Sequence, residues 1–120
     1  MVNMITTKEF SKFFDFNKNG EWQNIKTNSE KPLILDFSAD SWCAPCRTLS
    51  PILEDLSNEF ENKVIFYKID TDEEYELSKF FNIKSIPTLI FISTDNKLYT
   101  HTGSFPKNEI KRFIFKYFNV

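Results

Sequence analysis

Cys43 and Cys46 are the side chains with the most distinctive chemistry in this sequence, and they are its only cysteines. Residues three apart lie on the same face of a helix, so the two sulfurs can meet if this segment is helical. Disulfide exchange needs one thiolate that attacks and a second thiol that resolves the mixed disulfide. The spacing therefore predicts a site for dithiol/disulfide exchange.

The residues around the pair indicate how the two thiols would share this chemistry. Pro45 suits the first turn of a helix, where its missing N–H costs nothing, so a helix is predicted to start at Cys43. The free N–H groups and the macrodipole at a helix start favour a negative charge. Cys43 is therefore expected to be the nucleophile and the more exposed thiol, and Cys46, one turn later, the buried resolving thiol.

Other uses of a cysteine pair fit the sequence less well. A structural disulfide across so short a loop constrains little of the unfolded chain, and disulfide-stabilised secreted scaffolds use more cysteines. A zinc site normally takes four ligands, and beyond the pair the chain offers only His101. A zinc site between two subunits and a pair of bystander cysteines stay open, but neither explains Trp42 before the pair or Pro45 within it.

Length and composition predict a single domain over residues 1–120. The net charge is −2, and no basic stripe indicates nucleic-acid binding. No apolar run approaches the length that spans a membrane. Residues 1–7 lack the charged start and apolar stretch of a signal peptide, so a cytoplasmic location is expected, or an envelope or periplasmic one if a leader has been removed.

The hydrophobic pattern alternates between strands and helices. Strands are predicted over residues 2–5, 33–37, 64–69, 88–92 and 98–102. Helices are predicted after a cap at Thr6 or Thr7 and through Phe14, from Cys43, after a cap at Asp72, and from Pro106. A turn at 17–20 and a polar excursion that packs Trp22 on the body are expected between the first helix and the second strand. The order predicts an α/β fold with a central sheet between helix layers.

Asp36 interrupts an apolar strand that is expected to be covered on both faces. A buried carboxylate has a raised pKa, which suits a proton shuttle near neutral pH. The alternative is a solvated Asp at a strand end. For Lys68, the residues alone leave an exposed strand lysine equally open.

The sequence resembles the thioredoxin family over about residues 30–120, in the segment of the cysteine pair and in several others. They are Phe37-Ser38-Ala39, Trp42-Cys43-Ala44-Pro45-Cys46-Arg47, Pro51, Lys68-Ile69-Asp70, Ile86-Pro87-Thr88 and Gly103. The resemblance implies the thioredoxin fold, a central mixed β-sheet of four to five strands flanked by helices on both faces.

The resemblance also implies residue roles. Cys43 would attack the substrate disulfide and Cys46 would release the product, while Asp36, beneath the cysteines, would accept the proton of Cys46. Lys68 would lie beside Asp36 and tune it, and Pro87 would be a cis-proline facing the disulfide. The implied apolar docking surface consists of Trp42, Ala44, Pro45, Ile86, Thr102 and Gly103.

The implied function is that of a protein-disulfide reductase that maintains cell redox homeostasis. Its partners would be disulfide-containing proteins and a flavin-dependent thioredoxin reductase that uses NADPH. No bound cofactor and no metal are expected, because the cysteines carry the electrons, and a monomer is expected because a dimer through the Trp42 face would block the site. The alternatives are a specialised envelope thiol-disulfide exchanger and a non-enzymatic redox-sensing or binding module.

Three departures from the family pattern lie near the site. Ala44-Pro45 replaces the commonest Gly-Pro between the cysteines, and Ser38 stands where many members carry an aromatic residue. Between Asp36 and the first cysteine, Asp40-Ser41 stand in place of a single residue. This extra residue is expected to bulge the loop and shift Asp36 relative to the cysteines.

Overall fold

The computed structural model describes residues 1–15, 26–27 and 29–120. The strands of this part are β1 (Asn3–Met4), β2 (Phe14–Asp15), β3 (Lys26–Thr27), β4 (Leu33–Ser38), β5 (Ile65–Asp70), β6 (Thr88–Ile92) and β7 (Leu98–Thr102). The helices are α1 (Thr7–Phe13), α2 (Ala44–Glu59), α3 (Tyr75–Phe80) and α4 (Lys107–Phe118). The predicted turn at 17–20 and the packing of Trp22 lie outside the described residues.

The main sheet has five strands in the order β1-β5-β4-β6-β7. β1, β5 and β4 run parallel, whereas β6 and β7 are antiparallel to their neighbours. The sheet is therefore mixed, as predicted, and β4 lies at its centre. The last two strands, β6 and β7, form an antiparallel hairpin.

Helices cover both faces of this sheet because successive strand residues point to opposite sides. On one face, Phe10 of α1 and Leu77 of α3 pack against alternate residues of β4, which are Leu33, Leu35 and Phe37. On the other face, Leu53 of α2 and Ile114 of α4 pack with Ile34. Asp36 and Ser38 follow Ile34 at the same period and therefore lie on the face that α2 covers.

The first helix begins as predicted and ends earlier. The Glu9 N–H donates to Thr6 Oγ1 at 3.1 Å and the Thr6 N–H donates to Glu9 Oε1 at 3.3 Å, so Thr6 caps α1 in a reciprocal arrangement. The predicted helix included Phe14, which instead begins β2 and pairs with Thr27 of β3. This two-stranded sheet was not predicted, because strands of two residues carry no periodic signal.

The predicted cap of the third helix is wrong. α3 is preceded by Glu74, with no hydrogen bond from that side chain to the helix. Asp72 instead accepts a hydrogen bond from the Trp42 indole at 2.8 Å. Among the helices of the described ranges, none is long and apolar enough to cross a membrane.

Candidate redox site

Cys43 and Cys46 form a disulfide at the start of α2, with their Cα atoms 5.2 Å apart. Cys43 has extended backbone and is the N-cap, and its sulfur accepts a hydrogen bond from the Cys46 N–H at 3.3 Å. The first turn of α2 carries no acidic residue. A negative charge on Cys43 would therefore face free helix N–H groups and no nearby carboxylate on its own helix.

The two cysteines differ in access to solvent. Cys43 is 5% exposed and Cys46 is fully buried, so the first cysteine is the more accessible of the two, as expected. Both residues between them are exposed, as is Trp42, at 62%. The disulfide thus lies beneath a surface of small and aromatic side chains. Because the Trp42 indole bonds to Asp72, this large ring has a defined position beside Cys43.

The segment with the extra residue forms a closed turn between β4 and α2. The Ala39 carbonyl oxygen accepts hydrogen bonds from the Trp42 N–H at 3.2 Å and the Cys43 N–H at 2.9 Å. From inside α2, the Arg47 guanidinium donates to the Asp40 carbonyl oxygen at 3.0 Å. The chain therefore accommodates the extra residue in a turn that is tied at both ends.

Asp36 is a buried carboxylate in the middle of the sheet, 1% exposed. Its Oδ1 accepts a short hydrogen bond from the Ser38 hydroxyl, and its Oδ2 is buried with no partner within the described part of the chain. Burial raises the pKa of Asp36 to about 6, although the Ser38 hydrogen bond and the positive charge of Lys68 oppose the rise. This carboxyl can therefore take up and release a proton close to neutral pH.

Lys68 lies directly opposite Asp36 on the neighbouring strand, but its ammonium does not bond to it. The ammonium instead forms an ion pair with Asp40 and donates to Ser50 Oγ of α2 at 2.5 Å. The expected position beside Asp36 is thus observed for the backbone, whereas the ion pair goes to the turn with the extra residue. The charge of Lys68 still acts on Asp36 through space.

The loop before β6 lies next to the loop after β7. The Ile86–Pro87 peptide bond is cis. The Gly103 N–H donates to the Pro87 carbonyl oxygen at 2.7 Å, and the Thr88 and Thr102 hydroxyl oxygens are 3.4 Å apart. Gly103 has φ of 114°, a region that favours glycine. This contact brings two of the predicted docking segments together.

A groove of about 480 Å³ joins Trp42 to Ile86. Tyr75 of α3, together with Ile83 and Lys84 from the loop that follows, forms part of its wall. The groove begins at Trp42, the neighbour of Cys43, and apolar and polar side chains both line it. Its α3 side was not foreseen from the sequence. Tyr75 is 71% exposed, and an exposed aromatic residue at a helix start is the signal that could have indicated it.

His101 is the residue that the sequence offered as a further zinc ligand beside the cysteine pair. Its Nε2 lies 2.6 Å from the Tyr117 hydroxyl oxygen, and its ring stacks on Phe113 with 3.9 Å between centroids. His101 is half-buried. It belongs to an aromatic contact between β7 and α4.

Comparisons with known proteins agree with this geometry. The thioredoxin family model matches residues 14–116. The thioredoxin of Borreliella burgdorferi is 37% identical over 119 residues, which are 98% of each chain. That of Haemophilus influenzae is 35% identical over 78% of this chain and 87% of its own.

Solved structures show the same similarity. A chloroplastic thioredoxin z superposes with a TM-score of 0.76 at 26% identity, over 96% of this chain and 92% of that one. These matches confirm the predicted thioredoxin fold and the predicted function as a thiol-disulfide oxidoreductase. The chain belongs to the thioredoxin family.

Proposed function

We propose that Cys43 is the nucleophile of this exchange reaction. Its thiolate attacks one sulfur of a substrate disulfide, a Cys43–substrate bond forms, and the other substrate sulfur leaves as a thiolate. The N-cap position of Cys43 supports this role, because free helix N–H groups favour the thiolate over the thiol. Cys43 is also the more exposed cysteine and lies beside exposed Trp42. The proposal rests mainly on the position of Cys43 as the N-cap of α2.

Cys46 resolves the mixed disulfide in the second step. Its thiol loses a proton, its sulfur attacks Cys43 Sγ, and the second substrate sulfur leaves as a thiolate that takes up a proton. Two electrons pass from the dithiol to the substrate, and the protein ends in the disulfide form. Asp36 is the proton acceptor for Cys46, since its pKa of about 6 leaves it mostly ionised at pH 7 and still able to bind a proton.

An extended segment of the substrate docks next to the disulfide. Ile86 offers backbone groups to that segment, as a strand edge does in β-augmentation, beside the cis Pro87. Trp42, with the exposed residues Ala44 and Pro45, supplies one apolar side, and the groove towards α3 extends it. Thr102 and Gly103 lie on the opposite side, held by the bond to the Pro87 carbonyl.

As a member of its family, the protein exchanges electrons with disulfide-containing proteins and with a reductase. We propose more specifically that this reductase is flavin-dependent and uses NADPH, that the protein works as a monomer, and that it works in the cytoplasm to maintain cell redox homeostasis. A reductive role needs a compartment that keeps thiols reduced. The monomer leaves the Trp42 surface free for substrate.

An insulin-reduction assay with dithiothreitol tests the proposal. Wild-type protein should accelerate insulin precipitation, whereas Cys43→Ser should fall to the background rate of dithiothreitol alone. Cys46→Ser is the informative counterpart, because it keeps the nucleophile. Reduced Cys46→Ser, mixed with insulin after dithiothreitol has been removed, should accumulate a Cys43 mixed disulfide that non-reducing electrophoresis detects. A wild-type rate equal to background, or a Cys43→Ser rate equal to that of wild type, would contradict the proposed reductase.

A further inference from the structure

Five polar residues form a cluster on the face of the sheet that α2 covers. They are Asp36 and Ser38 of β4, Asp40 of the following turn, Ser50 of α2 and Lys68 of β5, and we call them the acid–lysine cluster. The cluster has two carboxylates and one ammonium. Its hydrogen bonds divide it into two groups, because Asp36 bonds to Ser38 and Lys68 bonds to Asp40 and Ser50.

The register of the sheet places Lys68 directly between Asp36 of β4 and Met4 of β1, so Asp36 is its only strand partner of opposite charge. A buried carboxylate with one unpaired oxygen is a strong acceptor for an ammonium, because an unpaired buried polar group is costly. The Lys68 side chain is only 13% exposed, so it also needs partners. It nevertheless bonds away from Asp36, which indicates that a competing acceptor determines its direction.

Asp40 is that acceptor. Its Oδ2 accepts both the Lys68 ammonium and the Ser50 hydroxyl, the latter at 3.2 Å. The position of its backbone is fixed, since Arg47 donates to its carbonyl oxygen at 3.0 Å and the turn is closed on Ala39. Asp40 lies in the segment where Asp40-Ser41 contain the extra residue. This segment therefore supplies a second carboxylate within reach of Lys68.

We propose that Asp40 is a positioning residue that holds the Lys68 ammonium away from Asp36, and so keeps the Asp36 carboxyl able to accept a proton near neutral pH. This inference rests on the proposed role of Asp36 in the exchange reaction. Asp40 itself contacts no reacting atom. It acts by determining which of two carboxylates pairs with the partly buried ammonium of Lys68.

Two effects of Asp40 on the pKa of Asp36 have the same sign. Its negative charge raises the pKa of Asp36, while the charge of Lys68 lowers it. Losing Asp40 removes the repulsion and also frees Lys68 to approach Asp36, so both changes lower the pKa.

Other groups facing Asp36 leave this direction unchanged. On β5, the Asp70 carboxylate bonds to the Asp72 N–H. The opposite residue on β6 is apolar Leu89. From α2, Ser50 bonds to Lys68 and Asp40 and carries no charge, and the disulfide of Cys43 and Cys46 does not titrate in the oxidised protein.

The test is a direct titration of Asp36 in the oxidised full-length protein, by NMR of ¹³C-labelled aspartate carboxyls assigned with Asp36→Asn. The wild-type midpoint should lie near about 6, and Asp40→Ala should lower it by about one pH unit. Asp55→Asn is the matched control. It removes a carboxylate that pairs with Lys107 at the exposed surface, and it should leave the midpoint unchanged. An unchanged or raised midpoint in Asp40→Ala overturns the inference.

A double-mutant cycle separates diversion of Lys68 from simple repulsion. Lys68→Met alone should raise the Asp36 midpoint, because it removes a positive charge. In the Lys68→Met background, Asp40→Ala should lower the midpoint by less than about half as much as in wild type. Equal shifts in the two backgrounds would show that Asp40 acts by its own charge alone, and would overturn the positioning role.

Activity distinguishes this inference from the proposed function. The pH profile of mixed-disulfide resolution should move to lower pH in Asp40→Ala, in step with the titration. If the titration moves and the pH profile does not, Asp36 is not the proton acceptor, although Asp40 still positions Lys68. If the titration does not move, the inference fails whatever the activity shows.

Discussion

The two faces of β4 differ sharply although they belong to the same six residues. On the face towards α1 and α3, Leu33, Leu35 and Phe37 are buried in a continuous apolar cluster. On the face towards α2, Ile34 packs in the same way, but Asp36 and Ser38 follow it at positions that are just as buried. One face is therefore fully apolar, while the other carries a carboxyl group whose Oδ2 has no hydrogen-bond partner among the described residues.

This difference separates residues that stabilise the fold from a residue that costs stability. Burying a carboxylate without a full set of partners is unfavourable, and the apolar face of the same strand offsets that cost. The polar half of the strand points towards the helix that begins at the cysteine pair. The protein thus keeps a costly buried carboxyl group on the face of the sheet that is covered by the helix of the cysteine pair.

The largest effect on stability is expected from the apolar face. Phe37→Ala should lower the free energy of unfolding by about 3–5 kcal/mol, because it removes a buried ring and leaves a cavity. The ring lies 5.4 Å from that of Phe81. Urea unfolding at pH 7 measures the loss. Phe115→Ala, at a position that is 49% exposed, should lose much less, and equal losses would contradict the assignment of Phe37 to the core.

Removing the buried charge of Asp36 should instead raise the free energy of unfolding at neutral pH. Between its ordinary pKa of 3.8 and its folded pKa of about 6, Asp36 holds a proton in the folded state more often than in the unfolded state. Stability therefore falls as the pH rises through this range, by about 3 kcal/mol in total. Asp36→Asn stays neutral, so at pH 7 it should be more stable than wild type by about that amount, and at pH 3.5 the two should be equal.

Urea unfolding of the oxidised proteins at the two pH values measures this difference. Asp55→Asn serves as a control for loss of an exposed carboxylate. A stability difference between Asp36→Asn and wild type that is the same at both pH values would show that Asp36 is not a buried titrating group.

A smaller effect is expected from Ser38. Its hydroxyl donates to the Asp36 carboxylate, and this bond lowers the pKa of Asp36. Ser38→Ala should therefore raise that pKa and should destabilise the protein by about 1 kcal/mol more at pH 7 than at pH 4, where Asp36 is neutral. Ser57→Ala is the control, because the buried Ser57 donates to a backbone carbonyl. Its cost should not depend on pH, and a pH-independent cost for Ser38→Ala would contradict the account.

Most of the main sheet and the position of the cysteine pair could be predicted from local patterns. The apolar runs of β4 and β6 and the proline after Cys43 carry signals that depend only on neighbouring residues. The cis bond at Pro87 followed from the resemblance to the family, because an X-Pro bond is usually trans.

The sequence-based predictions fail where a side chain has several possible hydrogen-bond or ion-pair partners that are distant in sequence. Asp72 was expected to cap α3, but it bonds to the Trp42 indole, 30 residues away. Lys68 lies opposite Asp36 on β5, but its ion pair with Asp40, 28 residues away, was not foreseen. The direction of the Asp40 side chain depends on backbone hydrogen bonds within the 39–43 turn. Residue spacing along the chain does not predict these bonds, so it could not predict the partner of Asp40.

The measurement that most directly tests the account is the rate of mixed-disulfide resolution as a function of pH. Reduced wild-type protein and Asp36→Asn are mixed rapidly with a disulfide peptide, and release of the second thiol is followed. The wild-type rate should rise with a midpoint at a pH of about 6. Asp36→Asn should lose this midpoint and be slower by about 100-fold at pH 7. Identical rates and pH profiles in the two proteins would contradict the role of Asp36 as proton acceptor.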